Sequence, residues 1–503
     1  MSDSSFYVTT PIYYVNGHPH IGHAYTTIAA DVLARYHKRK GVDVFFATGT
    51  DEHGQKVQKA AEAKGMDPLD FTTEVSQTFF DLWKTLDIQY SDFIRTTDER
   101  HIQNVKYFLQ TLYDKGDIYA GEYEGWYCVP CESFSPEGQL NEGHCPDCGC
   151  EVEQLKETSY FFRLSKYQDW LIDYIKTHNF VSPQTRQNEV LGFLKESLED
   201  LCISRPKERL SWGITLPFDE DHVTYVWFDA LVNYLSVLSK EDYVQRFWPC
   251  DVHLIGKDIL RPHAVFWPVM LHAMGLPLPK KIVVHGWWTV KGEKMSKSKG
   301  NTLDPYDVIE VYGLDAFRYF LLREVPFGSD GTFSHKQMVK RINAELGNDL
   351  GNFVSRSIGM LSKYCNGKVP EYPTNLEKLE QEVEDLYQKS LKEYDDAMES
   401  VKFSLVLESL MKYVRRMNRY VEEIAPWILA KDPSQQKRLN DVMAFLMTAN
   451  VRIAYGIEPF MPQTAATILK HFSVKEDSYY QDYILPEGRQ VEKIDPLFPR
   501  IED

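Results

Sequence analysis

The chain has 503 residues, more than a single hydrophobic core serves, so two to four domains are expected. With 43% hydrophobic and 26% charged residues it reads as an ordinary globular protein, and no run of about 18 apolar residues marks a membrane span. A net charge of −17 excludes a protein that coats nucleic acid over its whole surface, while leaving room for a local basic patch.

The first residues lead straight into strand-like Phe6-Tyr7-Val8-Thr9-Thr10, without the basic and apolar regions of a signal peptide, so a cytoplasmic location is expected. A Pro/Asn/Gly turn follows, then Ile28, Ala29, Val32, Leu33 and Tyr36 at helical spacing, closed by Gly41. Val44 to Thr48 predicts a second buried strand, and a second helix begins near Gln55. Strand and helix in alternation predict a parallel α/β sheet. From about Ile118 to Trp212 the rhythm breaks, as in an insertion, and five of the eight cysteines lie between Cys128 and Cys150. Cys202, Cys250 and Cys365 stand singly and read as buried or inert. Strands are again predicted at Val223 to Phe228, Val252 to Gly256 and Lys281 to His285. Beyond about Ser334 helical periodicity runs to Phe472, and an extended tail with acids and prolines is expected to pack back on the catalytic half.

The expected fold is therefore α/β: a split Rossmann-type parallel sheet, an inserted zinc-knuckle connective domain and a C-terminal all-α domain. Its segments are 1–117 and 215–281 for the two halves of the sheet domain, 118–214 for the insertion, 282–338 for a loop-bearing region and 339–503 for the helices and tail.

Three clusters carry chemistry. His18-Pro19-His20-Ile21-Gly22-His23 lies between the first strand and the first helix, where an open parallel sheet binds ligands and a helix N-terminus favours phosphate. His20 and His23 can donate to phosphate oxygens, and Gly22 leaves room for a flat base; alone, the run is equally a His-rich loop or a weak metal site. Lys294-Met295-Ser296-Lys297-Ser298-Lys299-Gly300, bracketed by Gly292 and Gly300, suits a loop closing over polyphosphate, although alone it reads as a solvated basic turn. The pairs Cys128-x2-Cys131 and Cys145-x2-Cys148, thirteen residues apart, suit a closed tetrahedral zinc shell with Zn–S about 2.3 Å. Such a shell leaves no open position, so one structural zinc is expected; Cys150 is an alternative to Cys148.

The two phosphate motifs, in this order, resemble the HIGH and KMSKS signatures of class I aminoacyl-tRNA synthetases, present without substitution as His20 to His23 and Lys294 to Ser298. The resemblance implies that an amino-acid carboxylate attacks the α-phosphate of ATP and that the product passes to tRNA. It places His20 and His23 on the phosphates, and Lys297 on the leaving pyrophosphate together with Mg²⁺, assisted by Lys294. It assigns Gly22, Lys257, Asp258, Ser296 and Ser298 to ATP binding.

Within the class, several segments resemble the methionyl family. Ile12, Tyr14, Trp227, Ala230, Leu231, Tyr234, Ile259 and His263 match its apolar amino-acid pocket, and Asp51 its acid for the ammonium group. Some members carry Pro where Leu231 stands. The insertion resembles the connective domain of members with a single zinc knuckle. Asn348, Asn352 and Arg356, spaced i, i+4, i+8 on one helix face, match anticodon-reading positions, as do Pro426 and Trp427, where proline breaks a helix and presents the indole. Between His335 and Lys363 five bases face two acids, against the balance of the whole chain.

The implied partners are ATP, L-methionine and tRNA(Met), elongator and initiator, with no membrane. The chain ends before any additional dimerising domain, so a monomer is expected. Two other readings remain at this stage. A synthetase for valine, isoleucine or leucine would carry a large editing insertion, and one for cysteine an open zinc site; neither feature is visible. A zinc-containing RNA-binding module would have no use for the ATP motifs.

Overall fold

The computed structural model describes residues 5–128, 133–135, 138, 140–146, 149–290, 293–294, 303–474 and 483–502. The chain forms two compact units: Asp3–Pro19 with Asp43–His285, and His20–Val42 with Gly286–Asp503.

The first unit is built on six parallel strands: β1 (Ser5–Tyr14), β2 (Asp43–Asp51), β3 (Asp92–Arg95), β6 (Val181–Ser182), β8 (Val252–Gly256) and β9 (Ile282–His285). Their order is β3-β2-β1-β8-β9-β6. The order reverses between β1 and β8, which makes the crevice beyond their carboxyl ends the expected ligand position. Fully buried strands need apolar residues on both faces, and β8 and β9 are buried throughout. Between β3 and β6 an antiparallel hairpin, β4 (Ile118–Cys128) with β5 (Glu153–Phe162), carries the cysteine region at its tip. The last strand of the small antiparallel sheet that follows, β7, spans Asp219–Thr224.

Three expectations change here. The stretch 118–214 is not wholly an insertion, because its Val181–Ser182 pairs with β9 and extends the parallel sheet. The predicted strand Val223 to Phe228 ends at Thr224, and Val226–Leu231 is a helix. A six-residue apolar run fits either state by local pattern, and buried surroundings decide it. β1 also continues through Pro11 to Tyr14, past the expected turn, with a register shift between Thr9 and Ile12.

The second unit is mainly helical: α1 (Ile21–Arg39), α2 (Leu314–Arg323), α3 (Asn352–Cys365), α4 (Lys378–Glu399), α5 (Phe403–Ile424), α6 (Pro426–Leu429), α7 (Gln436–Ile457) and α8 (Pro462–His471). A π-helical stretch, Ile342–Gly351, runs directly into α3. The helix that follows the His motif thus clusters with the C-terminal half of the chain and not with the sheet. The cause is electrostatic. Asp31 and Arg318 are both fully buried and meet at 2.6 Å, and Arg318 also donates to the carbonyls of Pro459 (2.9 Å) and Phe460 (2.9 Å). Arg35 adds a second donor to Asp31 at 2.8 Å.

The tail departs from expectation as well. It packs on the helices: Leu485, Val491 and Ile494 are buried, Leu485 N donates to Thr448 Oγ1 (3.3 Å), and Lys368 bridges Gln490. Apolar side chains spaced along an otherwise polar segment need a groove, and the helices supply it.

Removing one partner of a buried pair strands the other charge, at about 3–5 kcal/mol. Asp31→Ala is therefore expected to lower the thermal unfolding midpoint markedly in a calorimetric scan, more than Asp31→Asn, which keeps an acceptor for Arg318. Equal midpoints for wild type and Asp31→Ala would refute this account of α1.

Candidate active site

Parallel pairing fixes one corner of the crevice. Ile12 lies beside Gly49, and Tyr14 beside Asp51. Gly49 has no substitute, since a Cβ there would sit 2.1 Å from Ile94 O and 3.0 Å from Ile12 Cγ2. Asp51 is buried at 5% exposure at the end of β2. At the end of β8, Gly256 turns the chain into the 3₁₀ turn Lys257–Ile259, and a Cβ at 256 would meet Asp258 Oδ1 at 2.6 Å.

The opposite wall comes from the helix Val226–Leu231 and the residues after it. Trp227, Ile12 and Ile259 pack half-buried against a core that includes Leu231 and Tyr234, and Ala230 is buried. Tyr234 Oη lies 2.6 Å from His263 Nε2, and His263 Nδ1 lies 2.8 Å from Ile259 O. A carbonyl only accepts, so Nδ1 carries the proton and Nε2 accepts from the tyrosine hydroxyl. Burial pushes the His263 pKa from its ordinary 6.5 to about 4. The imidazole is therefore neutral at pH 7, and the Trp227 ring meets it edge-on at 6.3 Å. His253 behind it is also driven down by burial, and bonds Thr9 Oγ1 (2.7 Å) and Trp267 Nε1 (3.3 Å). The result is a wall of rings without charge, in the same unit as the buried carboxylate of Asp51 at the end of β2.

What sequence reasoning missed is the device that holds this wall. Asp229, fully buried on the same helix as Trp227, bonds His53 Nδ1 and His101 Nε2, each at 2.7 Å. Burial works to raise the Asp229 pKa, but His53 and His101 prevail and hold it below the carboxylate range. His53 follows Asp51 by two residues, so one hydrogen-bonded cluster ties the end of β2 to the Trp227 helix. The only hint in the sequence was a carboxylate inside an apolar run.

In the other unit, the His motif makes the N-terminus of α1. His20 Nδ1 accepts from Gly22 N (3.1 Å), and His23 Nδ1 accepts from His20 N (3.1 Å), a reciprocal cap. The two rings stack at 3.9 Å. With both Nδ1 atoms accepting, each Nε2 is the ring's N–H donor, as anion binding requires. A Cβ at Gly22 would lie 2.9 Å from the His20 ring, so this glycine makes room for the imidazole. Lys294 closes a short strand, Glu293–Lys294, against Trp288–Val290. Ser296, Lys297 and Ser298 lie outside the described residues.

Among the cysteines, Cys128 and Cys145 are fully buried, whereas Cys150 is exposed. Gly149 adopts φ +72 and donates from its N–H to Cys145 O at 2.9 Å, the tight turn a metal knuckle needs. Cys131 and Cys148 lie outside the described residues.

On the helical face, Asn348 and Asn352 are exposed and Arg356 is half-buried. Arg356 sits 5.4 Å over the Trp427 ring and pairs with Glu422 at 2.6 Å. As expected, α5 stops at Ala425 (φ +46), and Pro426 begins the next helix. Asn418, which the sequence did not flag, donates to Asp349 O at 2.9 Å and lies 3.5 Å from Asn352.

The folded His263 pKa lies below the unfolded one, so its contribution is complete above 6.5 and is lost as pH falls towards 4. The gap in unfolding midpoint between wild type and His263→Gln should therefore narrow across that interval. A gap that widens on acidification would contradict the neutral tautomer.

Comparison with known proteins agrees with this geometry. Two family models match: "tRNA synthetases class I (M)" over residues 6–155 and 150–358, and "Anticodon binding domain of methionyl tRNA ligase" over 369–503. Methionine–tRNA ligases of Caldanaerobacter subterraneus and Fusobacterium nucleatum are each 48% identical over 99% of this chain, covering 79% and 80% of those proteins. The solved structure of Mycobacterium tuberculosis methionyl-tRNA synthetase in complex with methionyl-adenylate superposes with a TM-score of 0.94 at 39% identity, over 99% of this chain and 100% of that one. On these grounds the chain belongs to the methionyl-tRNA synthetases of class I.

Proposed function

We propose that this chain activates L-methionine with ATP, releasing pyrophosphate, and transfers the methionyl group from the adenylate to the 3′-terminal adenosine of tRNA(Met). The observation that carries the reading is the uncharged, buried Tyr234–His263 pair packed with Trp227 and Ile259, in a unit that also holds the buried carboxylate of Asp51 at the end of β2. A thioether offers almost no hydrogen bond, so selectivity for it comes from an apolar pocket free of charge. Ile12, Trp227, Ala230, Leu231, Ile259 and the ring of Tyr14 surround the side chain, and Asp51 holds the ammonium group.

The substrate carboxylate is already ionised at neutral pH, so the first step needs no general base. Its demands are alignment and stabilisation of charge developing on phosphate oxygens. His20 and His23 donate from Nε2 to those oxygens, and the stacked rings keep their direction because both Nδ1 atoms are fixed by the cap. Lys297 and Lys294, with Ser296 and Ser298, cover the leaving pyrophosphate. Gly22, Lys257 and Asp258 place the adenosine. Mg²⁺ bound with ATP supplies further charge neutralisation.

Cys128, Cys131, Cys145 and Cys148 hold one structural zinc ion; the burial of Cys128 and Cys145 and the exposure of Cys150 support this set. Asn348, Asn352, Arg356, Pro426 and Trp427 read the anticodon, the rings by stacking and the amides by hydrogen bonds to base edges. The segments 1–117, 215–281 and 282–338 serve activation, and 339–503 serves tRNA. The chain acts as a monomer, and thiolate ligation suits the cytoplasm. No described helix is long and apolar enough to cross a membrane.

Pyrophosphate exchange into ATP should occur with methionine alone among the twenty amino acids and fall at least about a hundredfold in Lys297→Ala. Exchange with another amino acid would remove the pocket assignment. Metal analysis of purified protein should find about one zinc per chain, lost in Cys145→Ser and retained in Cys150→Ser.

A further inference from the structure

The C-terminal tail does more than cover the helices. Asn343 grips it with both ends of its amide: Nδ2 donates to Ile501 O at 2.9 Å, and Ile501 N donates to Oδ1 at 3.0 Å. Four and eight residues further on stand Gly347 and Gly351, and the tail backbone runs across them. A Cβ on Gly347 would lie 3.6 Å from Phe498 O, and one on Gly351 4.0 Å from Phe498 N and 3.1 Å from Leu346 O. The tail backbone therefore passes these two positions at ordinary contact distance, and the amide clamp fixes its register. Both features bear on where residues 496–500 end up.

They end up beside the asparagine stripe. Asn348, Asn352 and Ser355 form one side of a groove of about 480 Å³, and Phe498 and Arg500 line the other. Asn418 lies 3.5 Å from Asn352, and Arg356, one turn beyond Asn352 on the same face, sits over the Trp427 ring. The stripe thus ends in one ring and guanidinium, Trp427 and Arg356, and borders a groove whose other lining includes a second ring and guanidinium, Phe498 and Arg500. Arg356 is committed to Glu422. Arg500 is exposed and forms no ion pair among the described residues. An exposed cation beside a half-buried ring and a row of amides matches an unstacked RNA loop. The ring stacks a base, the amides read its edge and the cation meets the backbone phosphate.

We propose that Phe498 and Arg500 form the second wall of the tRNA-reading trough: Arg500 contacts an anticodon-loop phosphate and Phe498 packs against a loop base. This inference rests on the anticodon reading of the Asn348–Arg356 face and adds the tail to it. Asn343 is the positioning residue that holds the tail in place.

The test is steady-state charging of tRNA(Met) transcript by full-length Arg500→Ala and Phe498→Ala. The tRNA-free pyrophosphate exchange reaction reports that each variant is folded. Arg500→Ala should raise the KM for tRNA about tenfold with little change in kcat, and reduce the slope of log(kcat/KM) against log[salt] by about one. Arg500→Lys should restore the slope, which a merely structural role would not predict. Phe498→Ala should raise the same KM without altering the slope. Trp427→Ala separates the two claims. If it impairs charging while Arg500→Ala and Phe498→Ala have the wild-type KM, the anticodon face stands and the second wall is overturned. If Trp427→Ala also charges with the wild-type KM, the helical face does not read the anticodon and both claims are overturned.

Discussion

Among the described residues Arg318 is the largest charged side chain buried without exposure, and its environment organises the unit around it. A guanidinium out of water must find a carboxylate and further acceptors, or the fold loses several kcal/mol. Asp31 of α1 is that carboxylate, and the carbonyls of Pro459 and Phe460 are the other acceptors. One charge therefore joins three stretches of chain more than a hundred residues apart: the helix opened by the histidine motif, α2, and the turn between α7 and α8. The consequence for chemistry is that His20 and His23 stand at the N-terminus of a helix anchored along its length. Their rings are capped, stacked and set with Nε2 as donor.

The two recognition problems of an aminoacyl-tRNA synthetase call for opposite environments, and the chain provides them in different elements. A thioether is recognised by excluding charge. In the proposed pocket His253 and His263 are kept neutral by burial, and the hydrogen-bonded cluster of Asp229 with His53 and His101 is buried. An RNA loop is recognised by amides, rings and cations that stay at the surface, and the Asn348–Arg356 face proposed for that task keeps both asparagines exposed. The net charge of −17 is compatible with the second task because binding of a polyanion depends on local charge, and between His335 and Lys363 five bases stand against two acids.

Close backbone approach recurs as a second constraint. Gly49 sits where a methyl group would strike Ile94 O, Gly256 where it would strike Asp258, and Gly22 where it would strike the His20 ring. At each of these positions the glycine is set by crowding from one neighbour and not by a left-handed backbone. Each lies within two residues of a group assigned to substrate.

The sequence by itself determined the elements whose signal is local. The buried strands at Val252–Gly256 and Ile282–His285 show as short apolar runs, Gln55 opens a helix after Gly54, and Pro426 interrupts one. The HIGH and KMSKS runs and the paired cysteines were legible for the same reason, since each is a fixed spacing within a few residues. Tertiary structure alone decided what depends on distant partners. Val226–Leu231 is helical because its surroundings, including the tie from Asp229 to His53 and His101, 176 and 128 residues away, close around a helix. Val181–Ser182 joins the parallel sheet through β9, and the tail lies on the helices through Asn343, 158 residues before Ile501. Such contacts leave no period in the sequence. A six-residue apolar run or a Pro-rich tail satisfies several local patterns equally, and only the burial of specific charges and backbone groups selects among them.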